Sequence, residues 1–319
     1  MPLAHRAMAC VAMGCLAASL LQASQQSPRP PLPAEPLGGS GESVYPAFEG
    51  WGPHKDGTVV VLLGYYNRNR TQALDIPIGP NNRIEPGGPD QGQPTHFEAG
   101  QQHGVFAIRV PRDFGSQKLT WTLSVNGQTT SVSFGLNPLY FLDFFRNAAT
   151  ENQPPVIRTT ADGPGLTGPP LGIAQTLSGA VRQPIALRLW ASDVPAKWPG
   201  AADELADQRS QRPPVVEPFA VVGEQAFGGI RGGRPRAARP DVTVLWKLHR
   251  GPGKVVVAQP RIPLVTKKDP KAVLEASTTA TFDTPGDYVL RAQVNDESGE
   301  DGGGDQCCWT TALVGVTVK

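Results

Sequence analysis

Several side-chain groupings in this sequence could do chemistry. One is acidic: Asp296, Glu297, Glu300, Asp301 and Asp305 crowd into a short segment, and Asp193 stands far upstream. Carboxylates are the hard oxygen ligands that calcium takes. Asp193, Asp296 and Asp301 are a candidate calcium set if the fold carries both segments to one end. The other reading is a solvated turn, or a partner for Arg231, Arg234, Arg236 and Arg239. It is not an EF-hand loop, because Asp301 stands where that loop needs its turn-forming glycine. A second grouping is Glu85 or Asp90 with His96, the acid and base of a hydrolase if they share a cleft. His54, His96, His103 and His249 have no zinc-like spacing to another His or Cys.

Other patterns carry less. Gly163-Pro164-Gly165-Leu166-Thr167-Gly168 matches G-x-G-x-x-G, but Pro164, Pro169 and Pro170 oppose the helix a dinucleotide site needs. Gly251-Pro252-Gly253-Lys254 lacks the flanking residues of a phosphate loop and reads as a turn. Neither G-x-S-x-G nor H-E-x-x-H occurs. Asn69-Arg70-Thr71 fits a glycosylation sequon and reads as incidental. Aromatic residues suggest binding instead. Trp51, Tyr65 and Tyr66 could stack on a carbohydrate, and Tyr140, Phe141, Phe144 and Phe145 form either an interdomain wedge or an exposed ligand-binding patch.

Composition limits the elements that position these residues. Glycine (36) and proline (33) make up about one residue in five, against about one in eight ordinarily. That excludes a long-helix protein. A net charge of +1 opposes nucleic-acid binding through bulk charge, and 39% apolar residues oppose full disorder. The expectation is an all-β chain.

Period-two alternation supports it. Thr58–Asn67 reads as a strand buried on both faces, and Leu74–Ile78 as a short edge strand. Val105–Val110 alternates, and Lys118–Val125 and Gln128–Phe134 flank Asn126-Gly127, a strong hairpin signal. Further alternating runs are Ile185–Ala191, Val242–His249, Thr278–Phe282, Tyr288–Val294 and Leu313–Val318.

Ala7–Leu21 is uncharged and mostly apolar behind Arg6, so residues 1–23 read as a signal peptide cleaved after Ala23. Ala12-Met13-Gly14-Cys15 faintly matches a lipobox, making Cys15 a candidate lipid anchor. Residues 24–42 read as a Pro/Gly-rich tether. No later run is apolar enough to cross a bilayer. Cys307 and Cys308 are adjacent, so they cannot staple distant segments.

The second half resembles immunoglobulin-like sandwiches of the PKD or cadherin-like kind. The resemblance rests on Asn152-Gln153-Pro154-Pro155-Val156, the Trp246 strand, Gly251-Pro252-Gly253, Thr284–Tyr288, Val294-Asn295-Asp296 and the closing Val314–Val318. It implies a core Trp246, a tyrosine corner at Tyr288, and B–C and F–G loops meeting at one end with Asp193, Asp296 and Asp301. The first half, through Tyr65–Asn69 and Gly88–Phe97, is similar to segments of uncharacterised exported bacterial proteins.

These readings give two immunoglobulin-like β-sandwich domains, at 43–138 and 156–319, joined by an aromatic linker at 139–155. The second carries an irregular insertion at 195–240. The expected function is a non-catalytic binding or structural module exported to the cell envelope, with an envelope protein or polysaccharide as partner. Carbohydrate binding and hydrolysis are the alternatives.

Overall fold

The computed structural model describes residues 38–148, 151–193, 242–265, 272–296 and 308–319. The signal segment, Cys15, most of the tether, the 195–240 insertion with its arginines, Glu297–Asp305 and Cys307 lie outside them. Among the described residues the regular elements are strands and one 3-10 turn, and no helix is long and apolar enough to cross a membrane.

The first half contains β1 (Val44–Pro53), β2 (Val59–Asn67), β3 (Leu74–Asp75), β4 (Asn82–Glu85), β5 (His96–Phe97), β6 (Gly100–Val110), β7 (Leu119–Val125) and β8 (Gln128–Phe134). They form sheets ordered β1-β2-β6 and β4-β7-β8, plus the β3-β5 pair. Alternate residues of β2 reach opposite faces. Val61, Leu63 and Tyr65 enter a core with Phe97, Phe106 and Trp121, while Val60 and Leu62 are covered by Phe144 and Leu142. That is why the run is apolar throughout. Asn126 and Gly127 both take positive φ (52° and 73°), the backbone that a two-residue hairpin between β7 and β8 requires.

The second half contains β9 (Val156–Arg158), β10 (Ile173–Gly179), β11 (Ile185–Ser192), β12 (Val242–Arg250), β13 (Val255–Val257), β14 (Arg261–Leu264), β15 (Leu274–Phe282), β16 (Gly286–Asp296) and β17 (Trp309–Val318). One sheet runs β10-β17-β16-β12-β14 and the other β13-β15-β11-β9. Strands β9, β11, β15 and β13 hold the A, B, E and D places of an immunoglobulin-type sandwich, and β12, β16 and β17 hold C, F and G. Residues 255–264 cross between sheets, pairing first with β15 and then with β12. Trp246 is buried in this core. The Tyr288 hydroxyl donates to the Thr284 carbonyl at 2.7 Å, the tyrosine corner expected at the start of β16. Leu290 and Leu187 lie fully buried in the core that a disulfide spans in antibody domains.

The two apolar cores share no residues, yet Gly38–Lys319 is one compact unit. The halves meet through the Phe144 cluster, which Val60, Leu62 and Leu171 share, and through a polar network described below.

Candidate functional site

The structure does not assemble the hydrolase constellation. Glu85 pairs with Arg83 at 2.9 Å beside one groove, while His96 lines another. Asp90 forms a two-pronged pair with Arg250 (2.7 and 3.1 Å), which holds its carboxyl below the usual range. His96 Nδ1 meets Asp75 at 2.7 Å and its Nε2 faces Glu98 at 3.5 Å. Burial alone would lower the imidazole pKa, but the bonds to Glu98 and Asp75 outweigh it and leave it raised. Both ring nitrogens thereby face carboxylates, and His96 ties β3 to β5 through Asp75.

The acidic set is only partly within the described residues. Asp193 and Asp296 are both buried. They lie toward one end of the sandwich: Ser192 pairs with Val156, and nearby Asn152 donates to Asp296 Oδ2 at 2.6 Å. Asp301 lies outside the description. Among the described residues no three His, Cys, Asp or Glu side chains gather in a metal-holding group. Cys308 is buried near Asn152. Asn69 is also buried, its amide donating to Glu42 and Asn67, so the sequon offers no accessible nitrogen.

The aromatic expectations divide. Tyr65 is 2% exposed, packs against Phe97 and accepts the Glu98 N–H, which corrects its assignment as a stacking platform. It falls on the core-facing side of β2, whereas Tyr66 points the other way and is half-buried. Trp51 is half-buried, with its indole N–H donating to Asn137 O at 2.6 Å. The expected linker also splits. Phe144 is fully buried and Leu142 and Phe145 partly so, filling the wedge role. Leu139, Tyr140 and Phe141 remain 89%, 52% and 53% exposed, which corrects the wedge reading for Tyr140 and Phe141.

This exposed trio forms a ledge held on firm supports. Asn137 caps the 3-10 turn Pro138–Tyr140 by accepting the Leu139 N–H, and Pro138 sets its φ. Tyr140 packs on Phe48 (centroids 5.2 Å apart) and Phe141 meets Trp51 edge to face (5.4 Å). Leu142 N–H bonds the Trp51 carbonyl at 2.8 Å. Gly52 makes that approach possible, since a Cβ there would run into the Leu142 carbonyl. Beneath the ledge lies a groove of about 690 Å³, lined by Phe48, Val132, Phe134, Leu136 and Tyr140, with Lys118 at its side. Contiguous exposed apolar side chains of this kind mark binding surfaces more often than scattered ones do.

Reasoning from sequence did not reveal the residues that join the two halves. Gln102 Oε1 accepts from Lys247 Nζ (2.6 Å) and from the buried Arg291 (3.1 Å). The Gly92 carbonyl accepts His249 Nε2 at 3.0 Å, and the His249 carbonyl accepts the Thr95 N–H at 3.0 Å. Arg250 also donates to the Gln93 carbonyl, and Gln293 to the His103 carbonyl. Glu49 braces the first half's side by binding His103 Nδ1 (2.9 Å) and the Gly104 N–H (2.8 Å). Gly104 takes φ +58° under Trp309, where a Cβ would strike the indole. Burial lowers the His249 pKa to about 3, so the ring is neutral at physiological pH. The signal was present in the outward positions of β12 and β16, where His249, Arg291 and Gln293 alternate with core residues.

No protein-family model matches the chain, and no curated protein matches it. Among solved structures the chain aligns with the D00-D0 domain of intimin at 15% identity, over 87% of this chain and all of that one. The TM-score is 0.24, and a superposition that loose carries no argument. The fold class rests on the strand order itself: an all-β protein whose second half has immunoglobulin-type connectivity.

Proposed function

We propose that this chain is an exported, non-catalytic binding module that holds a polypeptide partner at the cell envelope through the Leu139–Phe141 ledge and the groove beneath it. The ledge is the observation that supports this reading: three contiguous apolar side chains stand exposed on a braced turn beside an apolar groove. A polypeptide fits better than a polysaccharide. The ring pairs Tyr140–Phe48 and Phe141–Trp51 are tilted and edge-on rather than coplanar, so they offer no flat platform for a sugar ring. Export rests on the apolar Ala7–Leu21 run, and the two-domain division at 43–138 and 156–319 rests on the two separate cores. Kinship of the second half with PKD or cadherin-like modules rests on the motifs already quoted.

The test is affinity capture from envelope extract with the wild-type chain and with the double variant Tyr140→Ser, Phe141→Ser. A protein retained by the first and lost with the second supports the reading. Equal recovery by both, or retention of the wild type on insoluble wall polysaccharide instead, overturns it. The calcium proposal for Asp193, Asp296 and Asp301 has its own test, calorimetric titration. Absence of both heat and a shift in melting temperature retires it.

A further inference from the structure

A second groove, of about 1000 Å³, opens between the two halves. Asp75, His96 and Glu98 form one wall, and Trp246, Leu248 and all of β13 form the other. Neighbouring strand residues point to opposite faces, so a groove that touches Val255, Val256 and Val257 together meets the strand edge-on. β13 ends its sheet, with β15 on one side and, among the described residues, no strand on the other. The Asp283 N–H donates to the Lys254 carbonyl, and the Ala258 N–H to the Thr279 carbonyl. With continuous register along β15, those bonds make 254, 256 and 258 the positions tied to β15. Val255 and Val257 therefore turn their N–H and C=O groups away from β15, toward the groove.

Two further features of this groove point to its occupant. Trp246 is 3% exposed, and its indole N–H has no hydrogen-bond partner. A buried indole donor ordinarily has one. The groove also carries more acid than base, with Asp75, Glu98 and Asp283 against His96 and Lys254. Asp75 is exposed and Glu98 half-buried, so both keep carboxylate surface for a ligand. We propose that this groove takes an extended peptide with lysine or arginine side chains, added as a strand to the β13 edge. Strand addition gives the outward N–H and C=O groups of Val255 and Val257 their main-chain partners. A peptide carbonyl supplies the acceptor that Trp246 lacks, and the basic side chains meet Asp75 and Glu98. Main-chain pairing thus gives affinity, and the carboxylates select charge. The site is separate from the Leu139–Phe141 ledge and does not rest on it.

Fluorescence anisotropy of the full chain with a labelled peptide of alternating valine and lysine tests it. Saturable binding is expected, weaker by about tenfold or more when glutamate replaces lysine. Methylating every main-chain nitrogen of the lysine peptide keeps its charge, removes its donors and abolishes binding. Val257→Pro removes an outward N–H but leaves the ladder to β15 intact, and weakens binding by about tenfold. Trp246→Phe keeps an aromatic core side chain without the donor and also weakens binding. The Tyr140→Ser, Phe141→Ser chain binds as the wild type does. Absence of saturable binding by the lysine peptide overturns the proposal. So does equal affinity for the glutamate or methylated peptide, which needs no protein variant to fold. Indifference to both Val257→Pro and Trp246→Phe overturns it too, as does loss of binding in the ledge variant, which would put the peptide on the ledge.

Discussion

The junction between the two halves and the ledge beside β8 are built on opposite terms. At the junction, Arg291, Gln293 and His249 are withdrawn from water; Gln293 and His249 bond the His103 and Gly92 carbonyls, and Arg291 donates to the Gln102 side chain. Such contacts are directional and costly to leave unmade, so they favour one arrangement over any slipped alternative. At the ledge, Leu139, Tyr140 and Phe141 keep apolar surface in water although apolar wedge space exists a few residues along, where Phe144 is buried. The polar contact is closed, as is the apolar cluster around Phe144, and the ledge is the apolar surface left open. Hydrogen bonding adds direction to the apolar Phe144 cluster in fixing the two halves, whereas the ledge leaves non-directional hydrophobic surface exposed.

The sharpest way to break this contrast is at Gly104. Gly104→Val adds a branched side chain at positive φ against Trp309, with an expected loss of at least about 3 kcal/mol in chemical denaturation. A near-neutral result would mean the junction is loose. Next is pH. His249 binds a proton in the unfolded chain below about pH 6.5 but in the folded chain only near pH 3, so stability falls as pH drops through that window, by about 1.4 kcal/mol per unit. His249→Gln keeps a donor for Gly92 and should flatten the slope between pH 6 and 4 in thermal melts. His96 acts in the opposite sense: its raised pKa adds stability below about pH 6.5 that is lost as pH rises through the folded value.

Smaller still is the Asp90–Arg250 pair, which is half-open to solvent on the Asp90 side. A double-mutant cycle with Asp90→Asn and Arg250→Met should give a coupling of about 1 kcal/mol or less, falling with added salt. The smallest stability effect belongs to the ledge. Tyr140→Ser with Phe141→Ser should cost about 1 kcal/mol or less in a denaturation curve while removing partner retention. A large loss of stability there would make the ledge part of the fold and erase the distinction.

How much of this was legible differs by element. The Asn126-Gly127 hairpin and the doubly buried β2 were readable from local backbone chemistry and strand pattern, while the core Trp246 and the Tyr288 corner were what the resemblance to PKD or cadherin-like sandwiches implied. The linker was half readable. Its aromatic density predicted burial, and Phe144 obeys. Whether Tyr140 and Phe141 follow depends on where the 3-10 turn sits against Phe48 and Trp51, which lie some ninety residues earlier. Tyr65 misled for a related reason. Adjacent tyrosines on a strand face opposite sides, and only the sheet it belongs to says which side is core.

The amino-acid sequence by itself determined the all-β class, the strand period and the turn positions, since these depend on φ preferences and on neighbours one to four residues away. Tertiary structure alone decided which outward polar residues of β12 and β16 became a buried junction and which half of the aromatic segment met water. Each of those outcomes depends on contacts between segments far apart in the chain, and no local preference encodes them.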